Sequence, residues 1–301
     1  MKQMTVKEFF AKFPTDEACL NHIFDIRFGQ GHKCPKCERK AKWYRIKAER
    51  AYSCQHCGHH IHPTVGTPFE ASRTSLQSWF YAIYLFTTSR HGVPAKELQR
   101  QLGVTYKTAW RMGHKIREHM ADVDGDDPLS GDVEIDEAYI GGKQNIQDMR
   151  EHGSNKTIVI GMVERDGDVH TEVIPDVKRR TVEAAITKTV TKDSTVHTDE
   201  HIGYNALWHL GYEQKTVEHG AKEFVRGDAH VNTIEGFWSL MKKGISGTHV
   251  HASKKHMPKY AKEFEYRYNS RQNPEGMFDE LTSSFEPVSS SEEQDQEQTS
   301  E

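Results

Sequence analysis

The chain has 301 residues, with 40 Lys and Arg against 44 Asp and Glu, and a formal net charge of −4 at pH 7. At that length two domains are expected by the ~150-residue prior, with ample material for a core. Mean hydropathy is −0.78 and no apolar run approaches the ~18 residues of a bilayer-spanning helix, which argues against a membrane-embedded role. The opening MKQMTVKEFFAKF is amphipathic and lacks the apolar centre of a signal peptide, so a cytoplasmic protein is expected.

Charge is divided unevenly. Residues 1–120 hold 20 Lys and Arg against 9 Asp and Glu, whereas 121–301 hold 20 against 35. A basic front half is the electrostatic footprint of a nucleic-acid-binding module. An acidic back half suits a domain that concentrates carboxylates.

Residues 1–28 read as a helical segment in which Cys19 is a packed core thiol. Residues 29–66 contain Cys34-Pro-Lys-Cys37 and Cys54-Gln-His-Cys57, with 16 residues between the pairs. This is zinc-ribbon spacing: each pair sits on a tight knuckle, and two knuckles complete a tetrahedral four-thiolate site. WYRIKAERAYSC reads as the hairpin between them. Two disulfides are the competing reading, disfavoured in an intracellular chain. His56, His59, His60 and His62 crowd the second knuckle, but four thiolates are the simpler ligand set. One structural Zn2+ is therefore expected.

Residues 67–120 read as helical. LQSWFYAIYLFTT is strongly apolar, as for a helix buried between domains. Leu98 and Leu102 then precede Gly103-Val104, with Ala109 and Met112 following at core positions. Helix, short Gly turn and second helix form the helix-turn-helix pattern. Tyr106, Lys107, Thr108 and Arg111 would face a major groove. Plain helical bundles share this pattern; the neighbouring ribbon and the positive charge favour DNA. The acidic, turn-rich residues 121–130 are the expected linker.

Residues 131–281 alternate strands and helices. DVEIDEAYIGG, KTIVIGMVERDG and DVHTEVIPDV are β-type and suit an antiparallel meander. Then come helix RTVEAAITKTV, strand STVHTDE, short helix YNALWHL, strand EQKTVEH and long helix VNTIEGFWSLMKKGI. The order β-β-β-α-β-α-β-α is that of the ribonuclease H-like fold, so an α/β catalytic domain of that fold is expected behind the zinc ribbon and helix-turn-helix region. It would carry Asp136 on the first strand, Asp199 at the end of the fourth, and Glu235 on a helix packed across them. Singly, an Asp at a strand end is usually a cap or turn residue. Jointly, the three carboxylates suit two divalent ions clamping the attacking and leaving oxygens of a displacement at phosphorus. Residues 282–301, poor in apolar residues and rich in acids, are expected to be disordered.

FPTDEACLNHIFDIRF, CPKC, CQHC, GTPFEASRTSLQSWFYAIYLF, VEIDEAYIGGK, TDEHIGYNAL and HVNTIEGFWSLMKKGISGTHVHASKKHMPKYAKEFEYRYNSR together make the chain resemble the zinc-ribbon DDE transposases of insertion sequences, the ISXO-type or insertion sequence 1595 family. The likeness runs over about residues 5–272, and RFGQGHKC ahead of the first knuckle departs from it. It implies an enzyme that cuts element ends and joins them to target DNA, with at least a dimer on double-stranded DNA. Some members of the family place Asn in the third ligand role. Asn232 and Glu235 lie three apart on one helical face; an anionic ligand neutralises a divalent ion better than an amide, so Glu235 is favoured as ligand and Asn232 as a neighbour or DNA contact. Lys242, at the customary offset from Glu235, would meet a DNA phosphate, although a solvated helix Lys is the plain alternative. His197 could support the site, and His230 and Trp238 are packing residues.

The chemistry expected is metal-dependent hydrolysis at the element end followed by attack of the freed 3′-hydroxyl on target DNA, with Mg2+ or Mn2+ bound by Asp136, Asp199 and Glu235. Two rivals share these features: a DNA-binding regulator with a relic catalytic domain, and a nuclease without strand transfer.

Overall fold

A computed structural model describes residues 3–141, 156–199, 204, 207–216, 231–250 and 252–285. The chain divides into two compact units, one formed by Met1–Thr88, Gln99–Ile116 and Glu275–Glu301, the other by Ser89–Leu98 and Arg117–Pro274.

The first unit opens with α1 (Val6–Lys12) and α2 (Asp16–Arg27). Thr5 and Glu8 close a capping box at the start of α1, the Glu8 carboxylate accepting from Thr5 N at 2.7 Å. Next come three short antiparallel strands in the order β1 (Trp43–Ile46), β2 (Ala51–Cys54) and β3 (His60–Ile61). The apolar run forms α3 (Leu76–Thr88). Asp16 of α2 accepts the Leu76 and Gln77 backbone N–H groups at 3.0 and 3.1 Å, capping α3 from another element. Phe9 and Phe13 pack with Phe278, which comes from the last helix among the described residues, and Phe80 packs with Phe13. Cys19 is fully buried here, and burial pushes its thiol up to about 12; it is the inert core thiol expected.

Helices α4 (Ala95–Leu102) and α5 (Tyr106–Asp124) are joined through Gly103, whose φ of +64° favours glycine. Thr105 caps α5, its hydroxyl accepting from Thr108 N at 3.2 Å. Leu98, Ala109 and Met112 are buried, Leu102 only half so. Helix α5 runs on to Asp124, into the stretch read as a linker.

The second unit is built on a five-stranded mixed sheet. Its strands are β4 (Asp132–Ile140), β5 (Thr157–Glu164), β6 (Val169–Ile174), β7 (Thr195–Thr198) and β8 (Glu213–Thr216), in the spatial order β6-β5-β4-β7-β8. The first three strands form the antiparallel meander; β7 pairs parallel with β4, and β8 with β7. Side chains alternate along β4. Val133 and Ile135 enter a core with Val182 and Ile186 of α6 (Arg179–Thr189). Ala138 and Ile140 enter the opposite core, with Ile234, Phe237, Trp238 and Met241 of α7 (Asn232–Gly244) and Met257 and Phe264 of α8 (Met257–Asn269). Glu263, within α8, is fully buried between Arg117 at 2.6 Å and Arg267 at 2.7 Å. Burial opposes its charge, but the two guanidinium groups outweigh burial and hold the carboxyl down to about 2.

Helix α9 (Met277–Ser283) belongs to the first unit, although in sequence it falls at the end of the segment read as the α/β domain. Met277, Phe278 and Leu281 are the reason: three buried apolar side chains on two turns match the aromatic cluster around Phe9. The acidic stretch 286–301 lies outside the described residues.

Candidate active site

Asp136 lies at the middle of β4, on the face covered by α7, because it shares the pleat parity of Ala138 and Ile140. Pairing of β4 with β7 runs Asp132 to Thr195, Val133 to Val196 and Glu134 to His197. Continued for two residues, that register sets Asp136 beside Asp199, one residue past the end of β7 and on the same face. Parallel pairing therefore carries two carboxylates, 63 residues apart in sequence, toward the same end of the β4–β7 pair. Burial raises the Asp136 carboxyl to about 6, and the negative charges of Glu137 and Asp199 push the same way.

The neighbouring polar groups form a chain of contacts. Glu134, two residues before Asp136 on its face, is fully buried. Its carboxylate accepts Thr233 N at 2.8 Å, Ile234 N at 3.2 Å and the Thr233 hydroxyl at 3.0 Å, and so caps α7. Arg165 Nε donates to the same carboxylate at 3.0 Å and Nη2 reaches His197 Nδ1 at 3.3 Å. With Nδ1 accepting, His197 carries its proton on Nε2 and donates to Asp132 Oδ1 at 2.6 Å. Burial holds this imidazole below its usual range, against the pull of Asp132. On the other face the Tyr204 hydroxyl donates to Glu137 at 2.7 Å.

Asn232, Glu235 and Lys242 are all exposed on α7, and the last two stand two turns apart. Among the described residues, Asp136, Asp199 and Glu235 do not form a tight ligand cluster; the four cysteines alone bring three or more donor atoms within 4.8 Å of one another. The donor set is all oxygen, and a carboxyl raised to about 6 by burial and then by neighbouring negative charges is one that a hard divalent ion would relieve, so the residues fit Mg2+ or Mn2+.

The ribbon is compact. Cys34 Sγ lies 3.7 Å from Cys57 Sγ, and Cys37 Sγ 3.8 Å from Cys54 Sγ. A tetrahedral ion with Zn–S bonds of ~2.3 Å sets its sulfurs ~3.8 Å apart. Each knuckle turns through a left-handed residue, Glu38 and Gly58, whose N–H groups bond the carbonyls of Cys34 and Cys54 at 2.8 and 3.0 Å. The His56 N–H points at Cys54 Sγ at 3.4 Å, favouring a thiolate. These four sulfurs fit a structural zinc. In the helical region, Tyr106, Lys107 and Arg111 are exposed on the first turns of α5 and Thr108 is half-buried. His230 lies outside the described residues.

Sequence reading missed Glu134 and Arg165. The available signal was a Glu at a core-facing pleat position of an otherwise apolar strand, which demands a buried partner.

A mixed sheet edged with carboxylates, behind a four-cysteine ribbon, defines the class: a multidomain protein with a structural metal knuckle and an acidic α/β core. Residues 128–269 match the ISXO2-like transposase domain and residues 14–60 the transposase zinc-ribbon domain of the same family. A protein in transposable element ISH50 of Halobacterium salinarum is 27% identical over 274 residues, covering 85% of this chain and 91% of that relative. A transposase-like protein of Haemophilus influenzae is 29% identical over 102 residues, covering 34% of this chain and 81% of its own length. The chain belongs to the zinc-ribbon, ISXO2-like transposase family of insertion sequence 1595. No helix among the described residues is long and apolar enough to cross a membrane.

Proposed function

We propose that the second unit is a ribonuclease H-like nuclease and strand-transferase of the DDE type, with Asp136, Asp199 and Glu235 as metal ligands. The observation that carries this reading is the parallel register of β4 and β7, which sets Asp136 beside Asp199 on the face crossed by α7. The sheet order β6-β5-β4-β7-β8, with a meander on one side and parallel strands on the other, supports the fold assignment. Bound Mg2+ would activate the attacking oxygen and neutralise the departing one in an in-line displacement at phosphorus. The chain's own residues supply the rest. Asp136 and Asp199 hold negative charge at the sheet edge, Glu134 fixes the start of α7 so that Glu235 keeps its place, and Lys242 meets a DNA phosphate. Asn232 orients a ligand or the DNA.

Element-end recognition falls to the basic front half. In this reading the ribbon and α4–α5 form the inverted-repeat binding module, with Tyr106, Lys107, Thr108 and Arg111 entering the major groove. Phosphate contacts would make the affinity steeply salt-dependent. Two element ends must be cut together, so the working form is at least a dimer on DNA in the cytoplasm. An oligonucleotide bearing an element end, incubated with the full chain and Mg2+, should be nicked at the end and joined to a second duplex. No nicking with either Mg2+ or Mn2+ would sink the reading.

A further inference from the structure

Trp238 is the buried side chain that the chemistry above does not use. It stands three residues after Glu235 on α7 and is 3% exposed. Its ring lies on the strand pair that carries Asp136. A Cβ at Gly161 would sit 2.6 Å from Cζ2 and 2.8 Å from Cη2 of the indole, and Gly161 is the register partner of Asp136 on β5. Cross-strand partners point their side-chain positions to the same face, ~5 Å apart. The indole thus fills the place that a side chain at 161 would occupy, directly beside Asp136.

The indole has one polar atom, and it is unsatisfied. Trp238 Nε1 is buried and makes no hydrogen bond of ordinary geometry. Buried Trp usually finds a partner for its N–H, and an orphaned donor is costly. The acceptor beside it is identifiable from the strand register: Asp136 is the cross-strand partner of Gly161, whose side-chain place the indole fills. An unpaired N–H at that place is a donor that a small rotation of the neighbouring carboxylate would satisfy.

We infer that Trp238 is a positioning residue for Asp136: its indole N–H donates to one carboxylate oxygen and leaves the other for the metal ion, and Gly161 is glycine so that the ring can lie there. Carboxylates that bind metals are commonly held in this way by a hydrogen bond to the oxygen turned from the ion, and losing that bond weakens metal affinity by ~10-fold or more. The inference rests on the proposed role of Asp136 as a metal ligand.

The test uses the full chain labelled with 15N at the indoles. Five Trp residues give five indole N–H resonances, and Trp238→Phe assigns one by its loss. Without metal, Asp136→Ala should shift the Trp238 resonance more than the other four. Added Mg2+ should shift it saturably in the wild type and not in Asp136→Asn. By calorimetry with Mn2+, Trp238→Phe should bind roughly tenfold more weakly while its unfolding midpoint stays close to wild type, because the aromatic packing is retained. A pure packing role predicts the reverse pattern, a lowered midpoint with unchanged Mn2+ affinity. Asp136→Asn impaired but Trp238→Phe binding Mn2+ like wild type overturns the positioning role alone. Asp136→Asn binding Mn2+ as wild type does would sink the metal-site reading, and the positioning role with it.

Discussion

Glu134 and Thr233, 99 residues apart, are joined by two hydrogen bonds of 2.8 and 3.0 Å, one to the Thr233 backbone N–H and one to its hydroxyl. A single buried carboxylate thereby fastens the first turn of α7 to the strand that carries Asp136. Glu134→Ala would strand the Arg165 guanidinium without this partner and uncap α7, at a cost of about 3 kcal/mol or more. The thermal midpoint should fall by several degrees, and end cleavage should fall further than stability alone explains. Thermal unfolding and cleavage measured on one preparation check it; wild-type stability would refute it.

Asp136→Asn, Asp199→Asn and Glu235→Gln should each keep fold and DNA binding but lose Mg2+-dependent cleavage by orders of magnitude. Each change is nearly isosteric and removes one negative charge from a site that works by charge neutralisation. Asn232→Ala should do less harm. If Glu235→Gln cuts normally and Asn232→Ala is dead, Asn232 is the third ligand.

Purified protein should carry about one tightly bound zinc per chain. Cys34→Ser or Cys57→Ser should abolish it and loosen residues 30–65, since closed four-thiolate sites contribute directly to folding. Elemental analysis finding no zinc in folded material would contradict the ribbon.

Lys107→Ala with Arg111→Ala, both exposed on α5, should weaken binding to an element-end duplex and flatten its salt dependence. The unfolding midpoint should be unchanged. Equal affinity for wild type and double variant across a salt series would move the recognition surface elsewhere.

Asp124 gives a pH prediction. Burial raises its carboxyl to about 7, and the charge of Glu265 adds to this, while Asn269 donates to both carboxylate oxygens at 3.2 and 3.0 Å. A carboxyl whose folded value lies above the unfolded one keeps more protons when folded. Its stability contribution is complete below about pH 4 and is lost as pH rises toward 7. Asp124→Asn should therefore raise the thermal midpoint at pH 8 and change it little at pH 4.5. An equal shift at both would show that the charge is not the cause.

Much of this architecture was legible in the chain. LQSWFYAIYLFTT is α3 residue for residue, and the five strands of the second unit fall within the five segments named for them, because period-2 patterning is strong there. Cysteine spacing gave the ribbon, since two CxxC knuckles admit few geometries. Glu134 was hidden because its partners, Thr233, Ile234 and Arg165, are 31 to 100 residues away; an isolated Glu in a strand carries no trace of what it will meet. The membership of α9 in the first unit was hidden for the same reason: nothing local in MFDELTS says that it packs with Phe9.

That return of α9 ties the making of the front unit to the finishing of the chain. A ribosome that stops before residue 275 releases a product whose Phe9, Phe13 and Tyr84 lack the Phe278 ring they contact. Such a product exposes aromatic surface and is a substrate for aggregation or proteolysis. Termination before that point therefore does not release an intact first unit. The fold couples translation through α9 to the integrity of the first unit.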